Sequence, residues 1–234
     1  VSMPEPISSS ELDRLYMLPR TFPKLREFGR FLRNPFSANT IASEVDIQAN
    51  RGCIGKCAYC SLTGRFGRRV SVAAVIKFMK ASTGAAMGRF NFADDLFMQN
   101  RRWLLDLMDA IEKNKLHQRF RFSAQTRVDF APRDVLRRMK QLGFQISIGM
   151  ETLDPVRAEK MGKVPKGRGE RYISQAMALI DDLCELDNEF RDKVPGHALY
   201  GHKSTFYSIL PTRHDTPADI AREILAQVKM FEHV

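Results

Sequence analysis

The chain predicts an α/β fold of repeated strand–helix units around a parallel sheet, and two observations carry that expectation. From residue 44 onward short apolar runs alternate with amphipathic stretches, the order expected of a parallel sheet with right-handed crossovers. The amphipathic stretches also carry their own punctuation, with capping residues or proline where they begin and glycine where one of them stops. Length and composition permit such a fold: 234 residues, 44% hydrophobic and 27% charged, suffice for one sizeable core.

The elements follow in order. A first strand lies near 44–48, and Ser71 then caps a helix with Val72, Val75, Ile76 and Met79 at 3.6-residue spacing. A second strand near 89–93 precedes a helix that carries Trp103, Leu104, Leu107, Met108 and Ile111 on one face. After a third strand over 119–124, Pro132 opens a helix with Val135, Leu136, Met139 and Leu142 inward, and Gly143 ends it. Strand four covers 145–149, a helix spans 171–185, and a polar connection over 187–203 holds Pro195, Gly196 and Gly201. Strand five is 205–210, and Thr216 with Pro217 starts a last helix burying Ile220, Ile224, Leu225 and Val228. Five such units make an incomplete barrel. Residues 1–44 hold five of the 11 prolines and little periodicity, so they read as a linker ahead of a core domain at 45–234.

The chemistry concentrates in residues 48–62, QANRGCIGKCAYCSL, where Cys53, Cys57 and Cys60 form a C-x3-C-x2-C array. Three thiolates can hold a four-iron cluster and leave one iron open to a small molecule. A structural zinc site is the competing reading, but it usually takes four ligands. The only other cysteine is Cys184, and no histidine is near the trio. A disulfide framework belongs to small, secreted, loop-rich chains. Gly52 and Gly55 let the loop turn around a bulky group. Cys184 shares an apolar helix face with Ile173, Met177 and Ile180 and reads as a core residue.

With that array, the segments ELDRL and LPR near the start, FADDLF, QTRVD and GMETLDPVRAEKMGK cover most of the chain. Together they resemble the radical S-adenosylmethionine (radical SAM) enzymes, in the branch whose members often carry an amino-terminal cobalamin-binding domain and perform methylations or ring-forming rearrangements. The resemblance implies a partial (β/α)6 TIM-like barrel, of which about five units are visible here, so the core is expected to be truncated before its sixth strand. It also implies a 4Fe-4S cluster on Cys53, Cys57 and Cys60, whose open iron chelates SAM and cleaves it reductively to a 5′-deoxyadenosyl radical that abstracts hydrogen from a small-molecule substrate. The electron would come from a low-potential donor such as flavodoxin or ferredoxin. Cobalamin would enter only through a domain not in this chain, since residues 1–44 contain no histidine for its known signature. A methylthiotransferase acting on RNA or protein shares the DIQ and cysteine-loop character, but normally has a second cysteine trio and an RNA module. From another class, a non-catalytic iron–sulfur or zinc protein that binds nucleic acid stays open.

Ligands of parallel barrels gather where the strands end, and the resemblance assigns SAM contacts there. Tyr59 would flank the adenosyl group, or else pack the loop down. Asp94, in NFADD where the family commonly has Gly-Gly-Glu, would accept from the SAM amino group while Asp95 caps the next turn; the structural alternative is a pair of helix caps. Arg127 would meet the SAM carboxylate with a bidentate pair, or form an ordinary salt bridge. Glu151 falls in the ribose-contact region, and an acidic group directly after a buried strand needs a partner. The segment FYSILPTRHDT, broken by Pro211, resembles the one that lines the adenine.

The bulk numbers exclude some classes. Lysine and arginine exceed acidic residues 37 to 27, a net charge of +10. Apart from Arg65, Arg68 and Arg69 the basic residues are scattered, so a solvated surface is favoured over a nucleic-acid stripe. No apolar run of 18 residues and no signal-peptide pattern occurs, so no membrane partner and a cytoplasmic location are expected. His197, His202 and His214 fall in loops without mutual spacing and read as solvated.

Overall fold

The computed structural model describes residues 44–61, 65–81, 88–194, 204–208 and 215–233. Its strands are β1 (Glu44–Ile47), β2 (Asn50–Cys53), β3 (Arg65–Arg69), β4 (Gly88–Phe92), β5 (Phe120–Arg127), β6 (Phe144–Glu151) and β7 (Thr205–Ser208). The helices are α1 (Val72–Ala81), α2 (Arg101–Lys113), α3 (Arg133–Gln141), α4 (Pro155–Lys160), α5 (Gly169–Phe190) and α6 (Pro217–His233). Strands β1, β4, β5, β6 and β7 pair in that order, every pair parallel, into one sheet. Among the described residues β1 and β7 are its two edges, so the sheet is an open, partial barrel.

The strands alternate with a period of two, and that alternation decides where the core lies. Ile47, Phe90, Phe92, Phe122, Ala124, Phe144, Ile146 and Ile148 all belong to the hydrophobic core. Phe90 meets Phe120 edge-on at 4.8 Å and Phe122 stacks on Phe144 at 4.7 Å. Burying each ring is worth roughly 2 kcal/mol. The intervening residues, such as Asn91, Ser123 and Ser147, point to the opposite face and line a cavity. Strands covered on both faces read as continuous apolar runs. Here the core residues of β4, β5 and β6 lie on one face of each strand.

Helix starts follow the local signals. Ser71 Oγ accepts from Ala74 N at 3.2 Å ahead of α1, and Asn100 Oδ1 accepts from Trp103 N at 2.8 Å ahead of α2. Thr216 and Asp219 cap α6 reciprocally, the hydroxyl accepting from Asp219 N at 3.2 Å and the carboxylate from Thr216 N at 2.9 Å. Gly143 takes φ +83 after α3, a conformation that glycine adopts without strain. Between α3 and α5, Lys140 is fully buried and paired with Asp187, which offsets the cost of enclosing its charge.

Several elements differ from the sequence expectation. α5 runs on to Phe190 because Leu183, Leu186 and Phe190 continue the buried stripe through the polar residues 187–189. β5 and β6 reach Arg127 and Glu151, three and two residues beyond the expected ends. The β2–β3 hairpin is antiparallel and was not expected, since NRGC and RFGRR lack apolar alternation. The short helix α4 was also not expected; Asp154 caps it and Pro155 opens it. Asp95 caps no described helix: the single 3-10 turn at Phe97–Gln99 has no side-chain cap, and Asn100 performs that task for α2. Residues 1–43, the loop histidines and Pro211 lie outside the described residues. Among the described residues no helix is long and apolar enough to cross a membrane.

Candidate active site

The cysteine array sits on the connection between β2 and β3, which is tied at its root to the end of β4. Ala93 N donates to Ile47 O at 2.9 Å, and Asn50 N donates to Asp94 Oδ1 at 2.5 Å. Gln99 Nε2 donates to Gly52 O at 3.0 Å, while Val70 N donates to Ala49 O at 2.8 Å. Trp103 Nε1 in turn donates to Val70 O at 2.9 Å. These bonds satisfy backbone groups that regular structure leaves open. On the far side Ala58 N donates to Met161 O at 2.8 Å. Gly162 follows with φ +64, and a Cβ there would lie 2.9 Å from Lys56 O. Only glycine allows so close an approach in that conformation.

All seven candidate residues line one cavity of about 530 Å³: Cys53, Cys57, Tyr59, Cys60, Asp94, Arg127 and Glu151. It opens where β4, β5 and β6 end, as residues 91–95, 123–127, Ser147, Gly149 and Glu151 in its wall show. No group of three or more His, Cys, Asp or Glu among the described residues is arranged to hold a single metal ion.

Arg127, at the end of β5, is nearly buried. Its Nε and Nη2 each donate to Asp129 at 2.9 Å, Nη2 also donates to Lys163 O at 2.7 Å, and Nη1 donates to Cys57 Sγ at 3.1 Å. The free fork expected for a ligand carboxylate is thus already closed on Asp129. Cys53 Sγ accepts from Gly55 N at 3.2 Å. Burial pushes the Cys53 thiol above its ordinary pKa, and the Gly55 N–H and the Arg127 charge oppose that rise. A Cβ on Gly55 would meet Arg127 Nη1 at 2.8 Å, so the absence of a side chain lets the guanidinium reach the loop.

Glu151 stands at a bulge. The β6–β7 register shifts between Gly149 and Glu151, and Glu151 takes φ +62, which re-aims its side chain at the cavity mouth. Its carboxylate is paired with the Lys163 ammonium, which also donates to Gly149 O at 2.8 Å. A Cβ on Gly149 would lie 2.7 Å from Glu151 Oε1, so glycine there makes room for the folded-back carboxylate. Lys163 was not singled out from the sequence. It is buried, and that burial first and Arg127 second push its ammonium down to about 8. Nothing local marks it, because its partners come from another element.

Asp94 is 2% exposed, and burial raises its carboxyl to about 7 against the opposing Asn50 N–H. Its Oδ2 is a looser 3.4 Å from Asn50 Nδ2. Tyr59 is 43% exposed at the rim, and partial burial followed by the Cys57 charge raises its phenol. Behind the site, Asp154 accepts from Arg157 N at 2.9 Å and Arg222 Nε at 2.7 Å, and Leu153 N donates to Glu223 at 3.2 Å. This network docks α6 on the turn that follows Glu151.

No protein-family model matches the chain. It is 28% identical over 141 residues to the hopanoid C-2 methylase of Rhodopseudomonas palustris (strain TIE-1), an alignment covering 55% of this chain and 27% of that protein. Among solved structures it superposes on the radical S-adenosylmethionine methyltransferase TsrM from Kitasatospora setae. The form with tryptophan substrate and a SAM analog (aza-SAM) gives a TM-score of 0.63 at 13% identity, over 81% of this chain and 34% of that one. The form with cobalamin and a [4Fe-4S] cluster gives 0.62 at 14% identity, over 80% and 32%. The chain therefore spans about a quarter to a third of the length of these proteins. In fold it is a partial barrel like that of these radical SAM structures, and in sequence it is similar to the hopanoid C-2 methylase.

Proposed function

We propose that the chain is the catalytic core of a radical SAM enzyme that methylates or rearranges a small molecule. The supporting observation is the convergence of three loop thiols and four polar candidates on one cavity at the ends of parallel strands. The methylase and methyltransferase relatives point the same way. In this reading Cys53, Cys57 and Cys60 hold a 4Fe-4S cluster, and SAM is the cosubstrate. The donor set fits: the three thiols share the cavity, and two of them already accept hydrogen bonds, from Gly55 N and Arg127 Nη1. A cluster takes each thiolate on a different iron, so it needs no common single-ion position. When bound, it supplies the electron that cleaves SAM to a 5′-deoxyadenosyl radical.

The chain's own residues position the reaction. Arg127 is assigned to the cluster side, where it neutralises the Cys57 thiolate. Asp94 Oδ2 is the proposed acceptor for the SAM amino group, and Glu151, oriented by Lys163, the contact to its ribose side. Tyr59 shields the adenosyl group from solvent. Cobalamin, bound in one solved neighbour, is a proposed further cofactor to which no residue of this cavity is assigned. A reducing, cytoplasmic setting and a low-potential electron donor go with this chemistry.

Anaerobic reconstitution of the full-length protein should give about four irons per chain. Cys57→Ala should lose them and Cys184→Ala should keep them. With a chemical reductant the loaded protein should release 5′-deoxyadenosine from SAM. Stoichiometric zinc after anaerobic purification, or intact SAM after reduction of the loaded protein, would overturn the proposal.

A further inference from the structure

The net charge of this chain is unevenly divided. Residues 47–93 contain eight lysines and arginines and no aspartate or glutamate, so about a fifth of the sequence carries +8 of the net +10. The rest of the chain, with 29 basic against 27 acidic residues, is close to neutral. Basic residues are spread along the whole length, as expected; what is concentrated is the lack of acids, and it falls on the segment that carries Cys53, Cys57 and Cys60.

The fold turns that segment into a cationic surface. Arg51, Lys56, Lys77 and Lys80 are exposed and Arg69 is half-buried, and among the described residues none of these five is paired with a carboxylate. Elsewhere the pattern is reversed: Arg101 meets Asp134 at 2.6 Å, Arg133 meets Glu185 at 2.5 Å, Arg137 meets Glu189 at 2.6 Å and Arg138 meets Glu112 at 3.1 Å. In the β2–β3 hairpin, register sets Arg68 opposite Arg51 and Arg69 opposite Asn50. Two residues after β3, α1 begins, with Lys77 and Lys80 on its exposed side. Arg89 turns inward to Ser123 and Gln145 and takes no part.

The cysteine loop has two sides. Cys53, Gly55, Cys57 and Cys60 line the cavity, whereas Ile54 and Lys56 do not. Ile54 is 41% exposed, so an aliphatic side chain stands on the outer side of the thiols with Arg51 and Lys56 close to it in the chain. An apolar centre inside a charged rim is the anatomy of a protein interface. A single nucleic-acid strand is held instead by cations together with stacking aromatics, and the loop's exposed aromatic, Tyr59, lines the cavity. Clustered like charges repel one another and draw in a partner of opposite sign.

We propose that the outer side of the cysteine loop and the β2–β3 hairpin, with Ile54 at the centre and Arg51, Lys56 and the α1 lysines around it, is the docking surface for an acidic one-electron carrier protein. This rests on the radical SAM reading, because a cluster on these thiols must receive its electron from outside. In the encounter the reduced carrier loses one electron and the cluster gains it, with no atom or proton transferred. Cys53 adjoins Ile54, which puts a proposed iron ligand directly behind the contact. Electron-transfer encounters bury little area, so charge steering is what raises their rate.

The test uses the full-length, cluster-loaded protein. Release of 5′-deoxyadenosine from SAM with reduced methyl viologen, a small cation that this surface cannot recruit, judges the radical SAM reading by itself. With limiting reduced flavodoxin, an acidic carrier, the rate should fall at least about fivefold between about 50 and about 300 mM salt, and the viologen-driven rate should stay within about twofold. At low salt Arg51→Glu and Lys56→Glu should each lower the flavodoxin-driven rate by about fivefold or more, with iron content and the viologen-driven rate unchanged. Lys113→Glu, at the far end of α2, should leave both rates as they are. A flavodoxin-driven rate indifferent to salt and to both substitutions, or no reduction by flavodoxin where viologen succeeds, overturns the proposal.

Carbodiimide cross-linking, which joins a lysine amine to a carboxylate in contact with it, needs no turnover. Flavodoxin should couple to Lys56, Lys77 or Lys80 at low salt and lose that coupling at high salt; coupling confined to lysines outside residues 47–93 overturns the docking surface even if SAM is cleaved. A labelled RNA oligonucleotide bound by the parent protein and released by Arg51→Glu would assign the surface to nucleic acid instead.

Discussion

Arg127 Nη1 donates to Cys57 Sγ across 3.1 Å, while the rest of the same guanidinium is held by Asp129 and the Lys163 carbonyl. The cation is fixed before any ligand arrives, so its field on the thiolate costs no reorganisation. Lysine cannot reproduce three directions at once. Arg127→Lys should lower iron retention after desalting and shift the cluster's reduction potential negative, on the order of tens of millivolts, because a donor to sulfur is lost. Potentiometric titration checks it, and an unchanged potential with full iron would show that the contact is inconsequential.

Gly162 tests how the cysteine loop is seated. Ala at this position combines a left-handed backbone with a Cβ 2.9 Å from Lys56 O. The backbone strain alone is on the order of 1 kcal/mol, and the loop must also move away from Met161. Gly162→Ala should therefore reduce reconstituted iron severalfold with little change in far-ultraviolet circular dichroism. Gly167→Ala is the control, since it shares a positive φ but has nothing within 4 Å.

For Glu151, the expected effect is on SAM and not on iron. Glu151→Gln keeps the shape, removes the charge and leaves the Lys163 ammonium short of its counter-ion in a buried place. SAM affinity should fall about tenfold, or about 1.4 kcal/mol, with iron content preserved. Gly149→Ala should have the same sign by displacing the carboxylate. Isothermal titration of the loaded proteins gives both numbers.

Asp94 predicts a pH dependence. Its carboxyl is raised to about 7 by burial, so the folded state binds a proton more tightly than the unfolded chain. The associated stability is fully present below about pH 4 and is lost as pH rises to about 7, no more than a few kcal/mol in all. Urea midpoints should fall across that window, and Asp94→Asn should flatten the fall. A parent midpoint no more pH-dependent between pH 4 and 7 than that of Asp94→Asn would show that Asp94 is ionised throughout.

The order of the sheet strands and the long helices was legible in the sequence because it depends on local periodicity and capping: Ser71, Gly143 and Thr216 act where their residue types predict, whereas Ile224, Leu225 and Val228 of α6, expected inside, are exposed. The seven candidate side chains were legible as motifs, since chemistry concentrates at strand ends. Their partners were not. Lys163 meets Glu151 across 12 residues, and Asn50 meets Asp94 across 44, distances at which no sequence period operates. Arg127 shows the limit most clearly: its position at a strand end was readable, but Asp129, Cys57 and Lys163 together decided which way its fork faces. Asp46, Asn91, Ser123 and Gln145 stand beside apolar residues in the alternation EVDI, RFNF, RFSAQ and QISIG. Only the parallel register, which sets four strands side by side, turned isolated polar residues into one hydrogen-bonded row, because side chains on different strands become neighbours through backbone pairing alone.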